Sequence, residues 1–252
     1  MLYQELLPDP FLKNDIECYW SIESGTTTTG FRTVYPDGCM DIIFNFGEPL
    51  MRKHHNKIEF SRDDAFVVGN MLTPIESKPT GNLNLLGVRF SPGGMSSFFS
   101  FPLHSLTDLS VPIAEISNEL EKELAERLYH LSLAERINYL NDYFKRIRTM
   151  RSEVWQKCLH EIRINRKAVS VIAKEADISE KQLQRKFQAH VGIGPKQLSQ
   201  VLRFRKLRER LEDRADENLM SLAWELGFTD HSHLTKTFKA FAGITPSEYL
   251  VR

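Results

Sequence analysis

The sequence contains no long apolar run and little cysteine. No stretch of 18 or more consecutive apolar residues occurs, so we expect no transmembrane helix. The first twenty residues lack a basic segment followed by an apolar one, which predicts that there is no signal peptide. The cysteines, Cys18, Cys39 and Cys158, are odd in number and widely spaced. That spacing favours free thiols in a reducing cytoplasm over a disulfide framework, and we expect a cytoplasmic protein with no membrane partner.

Sequence signatures of catalysis are also missing. The chain has no glycine-rich phosphate loop, no G-x-S-x-G segment and no His-x-His pair in its first half. His231 and His233 are two positions apart, so on a helix they would not share a face as i,i+4 metal ligands do. We therefore predict a protein that is not an enzyme and that needs no cofactor and no metal.

The charge of the chain is uneven, although the formal net charge is zero. Residues 1–150 hold 14 Lys and Arg against 20 Asp and Glu, a balance of −6. Residues 151–252 hold 19 Lys and Arg against 13 Asp and Glu, a balance of +6. A basic region of this kind favours a polyanionic partner such as nucleic acid, although many basic faces are only solvated.

Hydrophobic patterning divides the 252-residue chain at about residue 150. Up to about residue 90, apolar runs such as AFVVGNMLTP and LNLLGVRFSPGG alternate with turn residues, which predicts a small β domain. A short helix at 95–100 follows, and apolar residues at helical spacing predict two amphipathic helices over 113–147, broken near Ser132. Helical spacing then continues from about residue 152. We predict an α+β fold, with a small β-barrel-like domain with helices (1–150) before an all-α domain (151–252).

A short unit occurs twice in the second segment. Six residues of ISEKQLQRKFQAHVGIGPKQL (178–198) recur 51 positions later, within GFTDHSHLTKTFKAFAGITPSEY (227–249). The identical pairs are Leu183 and Leu234, Phe187 and Phe238, Ala189 and Ala240, Gly192 and Gly243, Ile193 and Ile244, and Pro195 and Pro246. The repeat predicts that one structural object is built twice.

The first copy has the pattern of a helix-turn-helix unit. VSVIAKEAD predicts a short helix that ends at Asp177, and Ser179 with Gln182 fits a capping box at the start of a second helix. Leu183 and Phe187 form the face that packs on the preceding helix. The outward face carries hydrogen-bond donors and no carboxylate: Lys181, Gln184, Arg185 and Gln188. This arrangement is typical of a recognition helix that enters the DNA major groove.

The second copy repeats the arrangement, with Gly227 at the turn and Asp230 as the helix cap. Gly-Ile-x-Pro ends both second helices, since glycine suits a left-handed cap and proline stops the helix. The segment 195–213 between the copies predicts one helix, whose arginines are candidates for phosphate contacts or for pairs with Glu209 and Glu212. A rigid connection would let one chain contact two successive major-groove segments, about 34 Å apart.

Residues from about 152 to 250 resemble the DNA-binding domain of the AraC/XylS family of bacterial transcriptional regulators. LAWELGFTDHSHLTKTFKAFAGITPSEY is similar to the family signature over nearly its whole length. The resemblance implies that two recognition helices enter consecutive major grooves. The base-contacting residues that it implies are Lys181, Gln184 and Arg185 in the first helix and Ser232, His233 and Lys236 in the second, with His231 at the groove edge. The first copy departs from the family pattern at Asp177, where glycine is usual, and at Gly194, one position before the proline.

The N-terminal segments ECYW, YPDGCMDIIFNFG, VVGN and LGVRFSPGG resemble a sensor-like module found on many such regulators. The resemblance implies an effector-binding or dimerising domain. Arg89, in GVRF, is our candidate for contact with an anionic effector because a guanidinium binds oxyanions well. Tyr35 is the second candidate for the effector site, although most aromatic residues of a small β domain belong to its core.

Three hypotheses stay open at this point. The protein is a ligand-responsive transcription regulator, a DNA-binding protein whose first domain binds only itself or another protein, or a cupin-like enzyme with a DNA-binding tail. The partners implied are double-stranded DNA, a small-molecule effector, RNA polymerase and a second copy of the chain. The dimer would form through the helices of 113–147, unless the apolar stripes of these helices cap the β domain instead.

Overall fold

A computed structural model describes residues 2–25, 30–54, 57–61, 65–164, 167–213 and 219–251. The described strands all lie in the first half of the chain. They are β1 (Leu2–Leu6), β2 (Ile16–Ser24), β3 (Arg32–Val34), β4 (Met40–Asn45), β5 (Leu50–His54), β6 (Lys57–Ser61), β7 (Ala65–Val68), β8 (Ile75–Pro79), β9 (Leu83–Phe90) and β10 (Ser110–Pro112). The predicted β-rich N-terminal part is confirmed.

The strands form two antiparallel sheets. One has six strands in the order β1-β2-β9-β4-β7-β10, and the other has four in the order β3-β8-β5-β6. In the centre of the larger sheet, Val88 of β9 lies between Tyr19 of β2 and Ile42 of β4, and all three side chains are buried. β-branched and aromatic side chains favour such strands because they pack well against cross-strand neighbours.

The described helices follow in chain order. They are α1 (Ile113–Ile116), α2 (Asn118–Leu120), a π-helical turn (Glu121–Glu126), α3 (Arg127–Tyr129), α4 (Leu133–Ile147), α5 (Glu153–Ile164), α6 (Val169–Glu175), α7 (Glu180–Val191), α8 (Pro195–Asp213), α9 (Leu219–Glu225), α10 (His231–Ala242) and α11 (Pro246–Leu250). The predicted break near Ser132 is confirmed, since Ser132 and Glu135 form a capping box at the start of α4. The short helix predicted at 95–100 is a single 3₁₀ turn, Gly94–Ser97, and a second 3₁₀ turn spans Leu103–Leu106.

The apolar stripe of residues 113–147 packs on the larger sheet. Leu124, Leu128 and Leu140 are fully buried there, and the ring centroid of Phe144 lies 5.5 Å from that of Phe90. The sequence left open whether this stripe forms a dimer interface or packs on the β domain. In the structure it packs on the β domain. None of the described helices is long and apolar enough to cross a membrane.

The helical C-terminal part has its own hydrophobic core. The repeated residues Leu183, Phe187, Leu234 and Phe238 are completely buried in it. Phe204, on α8, is buried against the second unit, and its ring centroid lies 5.1 Å from that of Phe238. The long helix predicted over 195–213 is confirmed at both ends.

The two cores touch through polar and aromatic contacts. The centroid of Tyr35 lies 6.4 Å from that of Phe204 and 5.7 Å from that of Tyr249, and Glu17 forms an ion pair with Arg205 at 2.6 Å. α4 belongs to the first core and α5 to the second. This agrees with a domain boundary near residue 150, which stays a prediction.

Candidate nucleic-acid interface

The turn of the first helix-turn-helix unit is fixed by one residue in the left-handed region and by a capping box. Asp177 follows α6 with φ 53°, a conformation that asparagine and aspartate adopt more readily than most residues. The Ser179 hydroxyl accepts a hydrogen bond from the Gln182 amide at 3.2 Å, and the Gln182 side chain accepts one from the Ser179 amide at 2.8 Å. Both bonds satisfy amides that the first turn of α7 leaves unpaired.

The second unit uses equivalent devices. Gly227 takes φ 80° at the turn, and the Asp230 carboxylate accepts the His233 amide at 2.8 Å as the cap of α10. The largest cause of the lowered pKa of Asp230 is this hydrogen bond, and a second hydrogen bond, from the Thr229 side chain, lowers the pKa further. Gly192 and Gly243 end α7 and α10 with φ 96° and 76°, as the left-handed caps predicted from the sequence.

The side chains predicted to contact bases in the first unit differ in exposure. Lys181 and Arg185 are exposed on α7, whereas Gln184 is half-buried. Gln184 folds back on Gly194, since a Cβ added at Gly194 would lie 2.4 Å from its Nε2. The departure from the family pattern at Gly194 therefore makes room for Gln184, and the two cations are the freer groups of this face.

A similar division holds in the second unit. His231, Ser232 and Lys236 are exposed on α10, and His233 is half-buried. The ring centroid of His233 lies 5.5 Å from that of Phe228, and its Nδ1 accepts the Thr229 amide at 3.4 Å. The His233 side chain therefore contacts the turn, and the long exposed donors of this helix are Lys236 and Lys239.

Most arginines of α8 are engaged within the protein. Arg205 contacts Glu209 at 2.8 Å in addition to Glu17, and Arg208 contacts Glu212 at 2.8 Å. Arg203 donates to the Gly227 carbonyl at 2.9 Å, which holds the second turn against α8. The structure thus shows these arginines with partners inside the chain, and phosphate contact by them stays a prediction.

The C-terminal end of α7 rests on the N-terminal part of the chain. The buried Asn70 side chain donates to the Val191 carbonyl at 2.5 Å, and the Thr107 hydroxyl donates to the Gly192 carbonyl at 2.8 Å. These bonds satisfy carbonyls that the helix end leaves free. Helix α7 is therefore in direct contact with the β-rich N-terminal part of the chain.

A cavity of about 280 Å³ lies between the two sheets. Its lining is mainly apolar and includes Trp20, Ile43, Phe66 and Leu85. Trp20 lies across from Gly87 on β9, where a Cβ would approach the indole to 1.9 Å, so glycine is required for this ring to lie on the sheet. The volume is close to the lower end of the range for ligand pockets, roughly 300–1,000 Å³.

The cavity also contains charged groups. Arg89 lies 3.5 Å from Asp41 and 3.7 Å from Asp37, and Asp41 accepts the Trp20 indole N–H at 2.8 Å. The Coulomb field of Asp41, the largest cause, raises the pKa of Arg89, so this guanidinium stays charged. Arg52 lies 3.7 Å above the Phe66 ring and donates a hydrogen bond to the Ser110 hydroxyl.

The structure separates the two residues predicted for the effector site. Arg89 lines the cavity, but Tyr35 lies against Phe204 and Tyr249 of the C-terminal core. Sequence reasoning also missed Arg52 as a lining residue. No local signal would have identified it, because β5 is in the smaller sheet and comes opposite Arg89 only in the folded chain.

Comparison with known proteins gives two matches to family models. Residues 172–252 match a model described as a helix-turn-helix domain, and residues 4–112 match a domain of unknown function (DUF6597). No curated protein sequence matches the chain.

Among solved structures, ToxT from Vibrio cholerae is similar over most of the chain. One structure at 11% identity has a TM-score of 0.52 and covers 92% of this chain and 98% of ToxT. A second, of ToxT from Vibrio cholerae O395 bound to (E)-4-(8-methylnaphthalen-1-yl)but-3-enoic acid, has 12% identity and a TM-score of 0.50, with the same coverage of both chains. At this identity the likeness establishes the fold.

The chain has two capped helix-turn-helix units joined by one helix, and the second helix of each unit exposes several hydrogen-bond donors. This arrangement defines a DNA-binding protein of the double helix-turn-helix class. The match of residues 172–252 to a helix-turn-helix domain model agrees with this class for the C-terminal part of the chain, which follows a β-rich domain.

Proposed function

We propose that this protein is a cytoplasmic regulator that binds a specific DNA site by placing α7 and α10 in two successive major grooves. One observation carries the proposal. α7 and α10 occupy equivalent places in the repeat, each buries its apolar face in one core, and each leaves exposed cations outside, Lys181 and Arg185 on one and Lys236 on the other. Arg185 is the best candidate to pair with guanine through O6 and N7, and Gln184 would contact adenine.

Selection of binding sites from a random duplex pool with the full chain tests this proposal. We expect an enriched motif in two parts whose centres are about 10–10.5 base pairs apart, since adjacent grooves on one face of DNA repeat at that distance. Affinity should fall steeply as salt rises, because phosphate contacts release counterions. A pool without enrichment, or a motif with only one part, would contradict the two-groove geometry.

We further propose that the cavity between the sheets binds a small effector with an apolar body and an acidic group. The mainly apolar lining, with Arg52 and Arg89 at its wall, supports this ligand class. ToxT, the fold relative, is found with a naphthyl-butenoic acid, which has the same two chemical features. The effector would act on α7 through the contacts of Asn70 and Thr107 with the end of that helix.

The effector proposal is tested with an aromatic butenoic acid and the primary amide of the same compound. The acid should raise the melting temperature of the full chain saturably, because a ligand that binds only the folded state stabilises it. The amide and the variant Arg52→Gln should each reduce this increase. If the acid and the amide raise the melting temperature equally, Arg52 and Arg89 do not bind the acidic group of the ligand.

A second candidate function is that the N-terminal domain only dimerises, as the sequence also allowed. The burial of the apolar stripe of residues 113–147 speaks against that surface as the dimer interface. A homodimer and contact with RNA polymerase stay proposals, and a dimer through these helices would use their outward faces.

A further inference from the structure

A second cavity, of about 370 Å³, lies where the two cores meet. Asn14, Asp15 and Ser97 line it from the N-terminal part, and Lys157, His160 and Arg163 line it from α5. Arg148 and Arg151, in the connection between α4 and α5, complete the wall. A molecule bound here would contact both parts of the chain.

The acidic group of this cavity is fully engaged. Asp15 is buried, with 3% of its surface exposed. It accepts hydrogen bonds from Arg148 Nε at 2.7 Å, from Arg151 Nη2 at 2.8 Å and from the Ser97 hydroxyl at 2.8 Å. Each carboxylate oxygen thus already holds a cation, and no capacity is left to neutralise further positive charge.

Positive charge exceeds negative charge around the cavity. Arg148, Arg151, Lys157 and Arg163 are four cations beside the one carboxylate of Asp15. Glu17, the other acidic group that acts on Arg163, is held by Arg205 through two hydrogen bonds of 2.6 and 3.1 Å. Neither Asp15 nor Glu17 therefore compensates the surplus of positive charge.

Two of the guanidinium groups keep donors without acceptors. Within the described chain, the Nε atoms of Arg151 and Arg163 are buried and make no hydrogen bond. Arg163 Nη2 donates to the Pro92 carbonyl at 2.5 Å. Burial, followed by the like charges of Arg163 and Arg148, lowers the pKa of Arg151 to about 10 even though Asp15 acts in the opposite direction. An additional anion would relieve the electrostatic repulsion among these guanidinium groups.

We propose that this junction cavity is an anion site for the phosphate group of a small metabolite, distinct from the cavity between the sheets. A phosphate group carries about −1.5 to −2 charge at neutral pH and three acceptor oxygens, which suits several cations with unused donors better than a single carboxylate does. Guanidinium forks also match phosphate geometry. Because the lining comes from both cores, the bound anion stabilises their present arrangement. The site does not depend on the DNA-binding proposal.

Calorimetric titration of inorganic phosphate into the full chain, at constant ionic strength set with chloride, tests the site. We expect saturable binding of one phosphate per chain. Lys157→Gln, which alters an exposed side chain, should weaken it about two- to fivefold. Arg163→Gln should weaken it about tenfold or more, since it removes a buried charged donor. Lys122→Gln, an exposed lysine on the N-terminal part, serves as the control of equal charge.

Binding that does not saturate overturns the proposal. So does saturable binding that Lys157→Gln leaves unchanged, because phosphate would then occupy another place. The double variant Arg185→Ala/Lys236→Ala identifies that place: if it abolishes phosphate binding, the anion binds to the DNA-contacting faces and the junction site is wrong. If Lys157→Gln weakens DNA binding while phosphate does not bind, the cluster contacts the DNA backbone and the proposal fails as well.

Discussion

Arg185 and Leu183 lie two positions apart on α7, yet one side chain is exposed and the other is completely buried. Substitution of each residue should therefore have a different effect. An exposed donor on a recognition helix acts on base preference, whereas a buried leucine acts on folding and affects every DNA sequence alike.

Arg185→Ala should weaken specific binding by about 1–3 kcal/mol and relax base preference at one position of the site. Lys236→Ala should do the same in the other half, about one helical turn away. Selection from a random duplex pool with each variant measures both effects. Lys186→Ala, an exposed lysine next to Arg185, is the matched control and should leave the motif unaltered. If the two test variants change the same base pairs, the two-groove model is wrong.

Leu183→Ala should lower the free energy of unfolding by about 2–5 kcal/mol, because the leucine is completely buried and a cavity would remain. DNA affinity should then fall for all sequences together. Urea unfolding and binding to two unrelated duplexes separate the effects. Gln188→Ala, at an exposed position of the same helix, should change stability by less than about 0.5 kcal/mol. Equal losses from the two variants would mean that α7 is not packed as described.

At the scale of the element, each helix-turn-helix turn depends on one backbone conformation. Gly227 and Asp177 occupy the same place in the two units and both have positive φ, 80° and 53°. The AraC/XylS pattern has glycine at this turn position, where the first unit has Asp177. The backbone of Asp177 nevertheless takes the left-handed conformation that a glycine would take.

Gly227→Ala should lower the free energy of unfolding by about 1–2 kcal/mol, the cost of a left-handed conformation for a residue with a Cβ. A Cβ at this position meets no atom closer than 3.8 Å, so the loss reports backbone strain and not a steric clash. Gly227→Asn is the matched control and should lose less, because asparagine tolerates this region. Thermal unfolding of the three proteins compares them, and an alanine variant as stable as the parent would show that the turn can relax.

At the scale of the molecule, the ion pair between Glu17 and Arg205 joins the two cores at 2.6 Å. Burial raises the pKa of Glu17, but the hydrogen bond and charge of Arg205 outweigh burial and leave the pKa below its ordinary value of 4.5. A carboxyl group with a lowered pKa in the folded state stabilises that state above its unfolded pKa. This contribution is lost as pH falls below about 4.5 and through the folded pKa.

Glu17→Gln should therefore lower the free energy of unfolding at pH 7 by about 1 kcal/mol, the upper range for a partly exposed pair. The difference from the parent should shrink as pH falls below 4.5 and disappear below the lowered folded pKa, where Glu17 is protonated in both states. Glu209→Gln removes a partner of the same arginine within α8 and should cost about 0.3–0.5 kcal/mol. Urea unfolding at a series of pH values measures this. A Glu17→Gln deficit that persists at low pH would mean that the charge of Glu17 is not the cause.

A homodimer is the assembly that we expect from the need for avidity at a long DNA site. Sedimentation of the full chain at micromolar concentration, free and on the selected DNA, should give two chains per particle. Leu124, Leu128 and Leu140 are buried within one chain, so Leu140→Ala should mainly destabilise the monomer. Lys122→Glu reverses a charge on the exposed side of the same helical segment and should weaken the dimer. A strict monomer in both conditions would exclude the dimer.

Local sequence signals were sufficient for the C-terminal architecture. The capping residues bind or end the helix next to them, so their roles follow from a few neighbouring residues. They are Ser179 with Gln182, Asp230, Gly192 and Gly243. The exposed cations of α7 were predictable for the same reason, because a 3.6-residue period fixes which side chains share a face. The half-burial of Gln184 and His233 was not, since it depends on the loops around Gly194 and Thr229.

The repeated helix-turn-helix units and the β domain are predictable from the sequence, because periodicity, caps and turn residues act over short distances. The positions of Tyr35, Arg52 and Asp15 depend instead on how the whole chain folds. Tyr35 packs on Phe204, 169 positions away in the chain, and Asp15 holds Arg148 and Arg151. Such contacts depend on how the sheets and the two cores meet, which no short segment encodes, since packing selects partners by shape and charge over the whole fold.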